Sequence, residues 1–247
     1  MAIIRSRRAF LALLCIQSAI ALLPLNSAPG ADPSPSPAVH KYSDEVAKFA
    51  SARAQAPGGV LMVGSSIFRK WLTCARDLAP LPVTNRAFGG SRTSDQLFFF
   101  DQIVPSSRAG LVVWYCGSND LKAKGAPDSI LKNTKEWIGR IHAALPRARI
   151  VLVSVIRAPQ KREAGLLPQV DAVNNGYIQI ASSDPDVVYV DVNPTMETPA
   201  GAAIAECYVE DKLHLTPEGY TRMTSTLLPA MEKEWKAKAS AELHPSP

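Results

Sequence analysis

Histidine is scarce in this sequence, with four residues in a chain of 247. Cysteine is equally rare, and the four cysteines show neither CxxC nor CxxxC spacing, which excludes a zinc ribbon and a dense disulfide scaffold. Charged residues make up 20% and hydrophobic residues 47% of the chain, so a disordered or collagen-like protein is also excluded. No internal repeat is present in the sequence. The remaining interpretation is a globular protein with one good-sized α/β domain, or two small ones.

A long apolar run lies near the N-terminus. Three arginines precede an almost uninterrupted apolar stretch at residues 9–23, and small residues follow up to Ala31. This order is typical of a secretory signal peptide, and the run is short for a membrane span, which needs about 20 residues. We therefore expect residues 1–31 to be a signal peptide of a secreted or periplasmic protein. No stable membrane anchor is expected after cleavage, and an uncleaved anchor is the alternative.

The net charge of the chain comes largely from this predicted leader. The formal charge of the whole chain is +5, which by itself would suit a polyanionic partner. The leader holds three arginines and no acidic residue, so its removal lowers the charge to +2. The long basic amphipathic helix or basic and aromatic stretch of a nucleic-acid-binding protein is also missing. We expect no nucleic-acid partner.

The two ends of the mature chain differ in composition from its centre. Residues 32–40 are rich in Pro and Ser and predict an extended linker. Residues 237–247 are rich in Lys, Ala and Pro and predict a flexible tail. The folded domain is expected at residues 41–236.

Apolar runs alternate with segments of helical spacing along this domain. The predicted strands are residues 60–63, 82–84, 111–115, 150–155 and 187–190. The predicted helices are residues 42–54, 67–74, 93–103, 129–144 and 167–181, with a last helix beginning after the N-cap Thr216. Such alternation predicts a parallel sheet with helices on both faces. In folds of this kind the functional site lies beyond the carboxyl ends of the strands.

Turns rich in Gly and small polar residues follow the first three predicted strands. Residues 64–66 read GSS, residues 89–91 read GGS and residues 117–120 read GSND, while residues 211–214 read DKLH just before the last helix. Each motif alone is more typical of an ordinary turn than of a catalytic site. Their shared order, spacing and position at strand ends together predict one site.

These turns contain the groups that acyl transfer requires. Ser66 is the candidate nucleophile, and a serine hydroxyl needs a neighbouring base. His214 is the candidate base, because the other three histidines fall in the linker, the tail and a predicted amphipathic helix. Asp211 precedes it by three residues and is placed to orient the imidazole.

Acyl transfer also needs donors for the oxyanion that forms during attack. The backbone N–H groups of Ser66 and Gly90 and the side-chain amide of Asn119 are the candidate donors.

Four blocks of the sequence resemble those of the SGNH hydrolases, also called the GDSL esterase/lipase family. The blocks are VGSSIFRKW at residues 63–71, NRAFGGSRTSD at 85–95, YCGSND at 115–120 and VEDKLHLTPEGY at 209–220. The resemblance spans about residues 60–230. It implies a flavodoxin-like three-layer α/β/α sandwich with a five-stranded parallel sheet, and ester hydrolysis without a metal or cofactor.

The resemblance also implies a role for each candidate residue. It implies that Ser66 is the nucleophile and an oxyanion donor, with Gly90 and Asn119 as the further donors, and that His214 and Asp211 are base and orienting acid. One position departs from the family, which usually has Asp between the Gly and Ser of the first block, where this chain has Ser65. Ser65 is therefore an alternative nucleophile, although Ser66 keeps the third place of the block.

A few residues outside the motifs carry open predictions. Cys74 and Cys207 are free to pair in an oxidising compartment, where a bond would hold the DKLH loop. The aromatic residues 98–100 and Trp137 are expected in the core, whereas Trp71 suits either the core or a pocket wall.

The leading functional hypothesis is a serine esterase that releases a small acyl group, such as a carbohydrate O-acetyl, through an acyl-enzyme. Its partner would be a small-molecule or glycan ester. The alternatives are a lipase or lysophospholipase acting on longer chains and a catalytically silent glycan-binding module. No long apolar insertion suited to form a lid is visible in the sequence, which favours small soluble acyl groups.

Overall fold

The computed structural model describes residues 41–51, 57–104 and 108–243. The predicted signal peptide at residues 1–31 and the predicted linker at 32–40 lie outside the described residues. No helix in the described ranges combines the length and the apolar character that crossing a membrane requires.

A five-stranded parallel sheet lies at the centre of the fold. The strands are β1 (Val60–Gly64), β2 (Val83–Asn85), β3 (Leu111–Tyr115), β4 (Arg149–Val153) and β5 (Val187–Val190). They are arranged in the order β2-β1-β3-β4-β5, and each neighbouring pair is parallel. Every residue of β1 and β3 is buried, as expected for strands that are covered on both faces. The predicted parallel α/β fold is confirmed.

Ten helices are found in the described residues. They are α1 (Ser43–Ser51), α2 (Ser66–Arg69), α3 (Cys74–Asp77), α4 (Thr93–Phe98), α5 (Phe100–Ile103), α6 (Ser118–Lys122), α7 (Pro127–Ala144), α8 (Pro159–Glu163), α9 (Leu167–Ser183) and α10 (Pro217–Leu243). Single 3-10 turns occur at Asn193–Thr195 and Ala205–Cys207.

Alternate strand residues belong to two separate hydrophobic clusters, one on each face of the sheet. Leu61 and Val63 of β1 pack with side chains of α1, α5, α7 and α9. Val60 and Met62 pack on the opposite face with side chains of α2, α3 and α10. The period of two along a strand thus divides the core into two layers around the sheet.

Strand β4 is shorter at its carboxyl end than the sequence predicts. Beyond Val153, the side-chain amide of Asn174 accepts from the N–H of Val155 at 2.8 Å and donates to its carbonyl at 3.0 Å. One side chain therefore satisfies both backbone groups that a sheet ladder would use, and pairing ends before residue 155.

Two predicted helices are each divided in two. The segment at 67–74 forms α2 and α3, and the segment at 93–103 forms α4 and α5 with a break at Phe99. Phe99 and Phe100 are buried, but Phe98, the last residue of α4, is 64% exposed. The prediction that all three aromatics lie in the core is therefore wrong at Phe98.

The last helix begins as predicted and ends later. The hydroxyl of Thr216 accepts from the N–H of Gly219 at 3.2 Å, which is the N-cap arrangement that the sequence indicates. Helix α10 continues to Leu243, into the stretch from residue 237 that the sequence predicts as a flexible tail. Lys, Ala and Glu dominate this stretch, and all three have high helix propensity.

Candidate active site

A sharp turn between β1 and α2 presents the candidate nucleophile. Gly64 has φ +138°, and a Cβ at this position would lie 2.0 Å from the carbonyl oxygen of Tyr115. The N–H of Ser65 donates to that same carbonyl at 3.0 Å. Only glycine fits where the backbone passes this close to the neighbouring strand. The turn leaves half-buried Ser66 as the first residue of α2, at the carboxyl edge of the sheet.

The structure brings Ser66, His214 and Asp211 together in one hydrogen-bonded chain. Nε2 of His214 lies 2.9 Å from Oγ of Ser66, and Nδ1 lies 2.5 Å from Oδ2 of Asp211. A ring whose Nδ1–H donates to the carboxylate keeps Nε2 free to accept the serine proton. The order nucleophile, base, orienting acid is the one that activates a serine hydroxyl.

The backbone of the loop at residues 211–214 stabilises the ionised carboxylate of Asp211. Its Oδ1 accepts from the backbone N–H of Leu213 at 3.0 Å and of His214 at 2.9 Å. Partial burial disfavours the charged form, but the hydrogen bonds from the His214 ring and from these two N–H groups outweigh it and lower the pKa of Asp211 to about 2. Asp211 is therefore ionised at neutral pH.

The two neighbouring serines differ in their surroundings. Ser65 is 1% exposed, and in the described part of the chain its hydroxyl has no hydrogen-bond partner. Ser66 contacts the His214 ring. The geometry thus favours Ser66 over Ser65 as the group that a base can deprotonate.

The loop that carries Gly90 is fastened to the nucleophile turn. The carbonyl of Gly64 accepts from the N–H of Phe88 at 3.0 Å, from the hydroxyl of Ser91 at 3.3 Å and from the amide of Gln96 at 2.9 Å. Gly90 itself has φ +76°, a left-handed conformation that favours glycine. These bonds place the backbone of residues 88–91 beside the turn that holds Ser66.

The loop after β3 brings Asn119 to the same place. The side-chain amide of Asn119 donates to the carbonyl of Ser91 at 3.0 Å, so Asn119 is joined to the residue that directly follows Gly90. Asn119 is the second residue of α6, which begins directly after Gly117 at φ +108°. An amide nitrogen has two hydrogens, and one of them remains for an oxyanion.

A buried carboxylate joins these two loops a second time. Asp120 accepts from the backbone N–H of Thr93 at 3.1 Å and from its hydroxyl at 2.6 Å. Burial raises the pKa of Asp120, although the hydrogen bonds from Thr93 partly offset this effect. Sequence reasoning missed Thr93 and Gln96 as supporting residues. The available signal was the presence of polar side chains on the buried face of a predicted helix.

Trp71 and the described cysteines take no part in the contacts among Ser66, His214 and Asp211. Trp71 is 1% exposed and its ring stacks on Tyr220 with centroids 5.1 Å apart, so it belongs to the core. The described cysteines Cys74, Cys116 and Cys207 are all free thiols, and the possible pairing of Cys74 with Cys207 is not formed. Within the described ranges no three His, Cys, Asp or Glu residues are grouped as a metal site would require.

One cavity among the described residues lies away from the candidate site. It has a volume of about 650 Å³ and is lined by Gly58, Arg108 and Arg147 among others, at the amino edge of the sheet. The contacts among Ser66, His214 and Asp211, rather than cavity size, identify the candidate active site.

The sequence and the fold of this chain are both similar to those of known proteins. The model of the GDSL-like lipase/acylhydrolase family matches residues 59–222. Comparison with curated proteins found no match. A GDSL-like lipase from Bacteroides thetaiotaomicron VPI-5482 has a similar structure, with a TM-score of 0.67, 24% identity, and coverage of 78% of this chain and 98% of that chain.

Two esterases are also similar in structure. A carbohydrate esterase family 3 protein from Talaromyces cellulolyticus and an acetyl esterase, solved as a mutant with an acetate ion, each give a TM-score of 0.59 at 15% identity. Each comparison covers 72% of this chain and 98% of the other. At such identities the likeness shows the fold alone.

Proposed function

The chain belongs to the GDSL-like lipase/acylhydrolase family, and from this premise we propose that it is a serine esterase that releases small acyl groups through an acyl-enzyme. The observation that supports this proposal most directly is the hydrogen-bonded chain from Ser66 through His214 to Asp211. Serine, neutral imidazole and carboxylate in this order supply the nucleophile, the base and the group that stabilises the imidazolium.

In the proposed acylation step, Oγ of Ser66 attacks the ester carbonyl carbon while its proton passes to Nε2 of His214. The carbonyl oxygen becomes an oxyanion, for which the N–H groups of Ser66 and Gly90 and the amide of Asn119 are the proposed donors. When the tetrahedral intermediate collapses, the bond to the alcohol breaks and His214 returns its proton to the departing oxygen. The products are the alcohol and an ester of Ser66.

Deacylation repeats the same proton transfers with water. His214 takes a proton from the water that attacks the acyl carbon, and it returns that proton to Oγ of Ser66 as the carboxylic acid leaves. Asp211 stays ionised throughout and stabilises the imidazolium in both steps, in keeping with its lowered pKa of about 2.

For the substrate we propose a small acyl ester of a carbohydrate, with an O-acetyl group as the first candidate. The acetyl esterase and the carbohydrate esterase among the structural neighbours make acetylated sugars the first compounds to test. The short turn between β1 and α2 adds no segment that would cover a long acyl chain at Ser66. A lipase or lysophospholipase acting on longer chains is the second candidate.

Residues 1–31 support a further proposal, that the protein is exported and that its substrate is met outside the cytoplasm. Sequencing the N-terminus of the protein recovered from culture medium or periplasm tests this point, with a start shortly after Ala28 or Ala31 as the expected result.

Hydrolysis of p-nitrophenyl esters from acetyl to octanoyl tests the function, with the variants Ser66→Ala and Ser65→Ala compared with the wild type. We expect hydrolysis that is fastest with acetyl and falls with chain length, loss of activity in Ser66→Ala, and activity near that of the wild type in the matched control Ser65→Ala. A fluorophosphonate probe should label the wild type and Ser65→Ala only. Full activity in Ser66→Ala would refute the assignment of the nucleophile. A wild type that is inert toward all esters and toward the probe would favour a silent binding module.

A further inference from the structure

The short helix α8 contacts two loops of the proposed active site. The backbone N–H of Gln160 donates to the carbonyl of Lys212 at 3.0 Å, within the loop that holds Asp211 and His214. The ammonium of Lys212 also lies 2.6 Å from the carboxylate of Glu163. Helix α8 therefore packs against the loop that holds Asp211 and His214.

From the same helix, Lys161 extends to the loop of the oxyanion donors. Its Nζ donates to the carbonyl of Ser118 at 3.0 Å, and Ser118 is directly followed by Asn119. Helix α8 thus contacts both halves of the site. It contacts the base loop through the Gln160 backbone and the Glu163 side chain, and the donor loop through the Lys161 side chain.

Lys161 stands in an unusual environment for a lysine. Its side chain is completely buried, and no ion pair of Lys161 is found in the part of the chain that the structure describes. Lysine is almost never fully buried unless it is paired with an opposite charge, because an unpaired buried charge is costly. The Lys161 ammonium donates to the Ser118 carbonyl, next to the proposed oxyanion donor Asn119. Stabilisation of the reaction at this position would explain why a buried charge is retained.

The charge state of Lys161 responds to its surroundings. Burial is the main influence and the positive charge of exposed Lys122 adds to it, so that together they lower the pKa of Lys161 to about 8. Lys161 is therefore mostly charged at neutral pH and loses its charge in mildly alkaline solution.

We propose that Lys161 is a positioning residue for ester hydrolysis, which holds the Ser118–Asn119 peptide so that the Asn119 amide stays directed at the oxyanion. The inference rests on the proposed function of the same site. The ammonium fixes the carbonyl of Ser118, and the peptide that leads into Asn119 cannot then rotate. Its positive charge also acts on the negative charge that develops only in the transition state.

The experiment measures kcat and KM for p-nitrophenyl acetate from about pH 6 to about pH 10 in the wild type and in Lys161→Met, Lys161→Gln and Lys122→Met. Met approximates the lysine stem without its charge, and Gln keeps a donor without its charge. Lys122→Met is the matched control, since it removes the charge of an exposed lysine and leaves the contact of Lys161 with Ser118 in place. Titration with the fluorophosphonate probe gives the concentration of active sites in each sample.

For Lys161→Met we expect a fall in kcat of about 10-fold to 100-fold with KM within about 2-fold of the wild type, because the lost effect belongs to the transition state. The wild-type kcat should decline above about pH 8 as Lys161 loses its proton, and both Lys161 variants should lack this decline. In Lys122→Met the decline should move to higher pH, because the nearby charge that lowers the pKa of Lys161 is gone.

A purely structural role of Lys161 would lower the melting temperature without changing the shape of the pH profile. If the folded Lys161→Gln protein shows the wild-type kcat and pH profile, and Lys122→Met leaves the alkaline decline where it was, the inference is wrong. These two variants decide the matter even if Lys161→Met does not fold. Loss of activity in Ser66→Ala beside unaffected Lys161 variants would overturn this inference and leave the proposed function intact.

Discussion

Oγ of Ser66 lies 2.9 Å from Nε2 of His214, although 148 residues separate the two in the chain. Two packing contacts bring their elements together. The hydroxyl of Tyr220 in α10 donates to the carbonyl of Ile67 in α2 at 2.8 Å, and the Tyr220 ring stacks on Trp71. Helix α10, which follows His214, is thereby fixed against the helix that begins with Ser66. The distance between nucleophile and base is set by the hydrophobic core below them.

The first prediction concerns the charge of Asp211. Asp211→Asn should lower kcat by about 10²-fold to 10⁴-fold, because an amide stabilises the imidazolium poorly and favours the wrong tautomer of His214. KM should change little, and active-site titration with steady-state kinetics on p-nitrophenyl acetate measures both. A kcat within about tenfold of the wild type would contradict the orienting role of Asp211.

The same carboxylate predicts a pH dependence of stability. The pKa of Asp211 is lowered to about 2 in the folded protein. A lowered folded-state pKa contributes stability that is present above the unfolded value of about 3.9 and is lost as the pH falls toward the folded value. Asp211 is 47% exposed, so solvent screens the effect and the contribution should be small. Urea unfolding between about pH 5 and about pH 2 should show a shallower pH slope for Asp211→Asn than for the wild type.

The second prediction tests Asn119 as an oxyanion donor. Asn119→Ala should lower kcat by about 10²-fold to 10³-fold with little change in KM, since the oxyanion exists only after attack. The substitution also removes the bond to the carbonyl of Ser91. Fluorophosphonate labelling should be slowed as well, because that reaction passes through a similar charged state. A raised KM with an unchanged kcat would instead indicate a role in substrate binding.

Much of this site could be predicted from the sequence because parallel strands bring their carboxyl ends to one edge. The turns after residues 63, 84 and 115 had to meet there, whatever the details of packing. His214 followed from the shortage of histidine, since the alternatives fell in the linker, the tail and a helix. The contact between Ser66 and His214 agrees with this reasoning, while the roles of both remain predictions.

Other features depend on tertiary contacts that no local pattern records. The stretch 159–163 reads PQKRE, which is typical of an exposed loop, yet Lys161 is completely buried. Strand β4 ends where the Asn174 side chain, from a helix 19 residues further along the chain, binds the backbone of Val155. Nothing in residues 150–155 indicates this contact. The exposed position of Phe98 depends on a helix break at Phe99 that hydrophobic spacing alone does not show.

The third prediction concerns the glycine of the nucleophile turn. Gly64→Ala should lower the free energy of unfolding by roughly 3 kcal/mol or more, because a Cβ would lie 2.0 Å from the Tyr115 carbonyl at a φ of +138°. Gly139→Ala is the matched control. Gly139 lies exposed inside α7 with nothing within 4 Å of an added Cβ, so alanine should stabilise the protein by about 0.5–1 kcal/mol. Chemical denaturation of the wild type and the two variants measures these changes in the free energy of unfolding. A Gly64→Ala protein of wild-type stability would contradict the turn geometry.

The last prediction concerns the three described cysteines. Cys74, Cys116 and Cys207 are free and buried, and burial raises the pKa of each thiol. The native protein should therefore react slowly with a thiol reagent near neutral pH, since the thiolate is the reacting form. After unfolding in guanidinium without a reductant, all three should react. Cys15, which lies in the predicted leader outside the described residues, adds a fourth thiol only if that leader is retained.

The count of thiols thus tests two independent expectations by mass analysis after alkylation. Three labels on the unfolded, unreduced protein indicate free thiols and a cleaved leader, and four indicate a retained leader. One label that rises to three after reduction would show that two of these cysteines pair, as the sequence allows for Cys74 and Cys207, although all three are free thiols in the structure. A bond between Cys74 and Cys207 would constrain the loop that holds Asp211 and His214, because the carbonyl of Cys207 accepts from the N–H of Thr216 at 3.0 Å and so closes that loop at its base. Reduction would then lower kcat, whereas free thiols predict no effect of a reductant on activity.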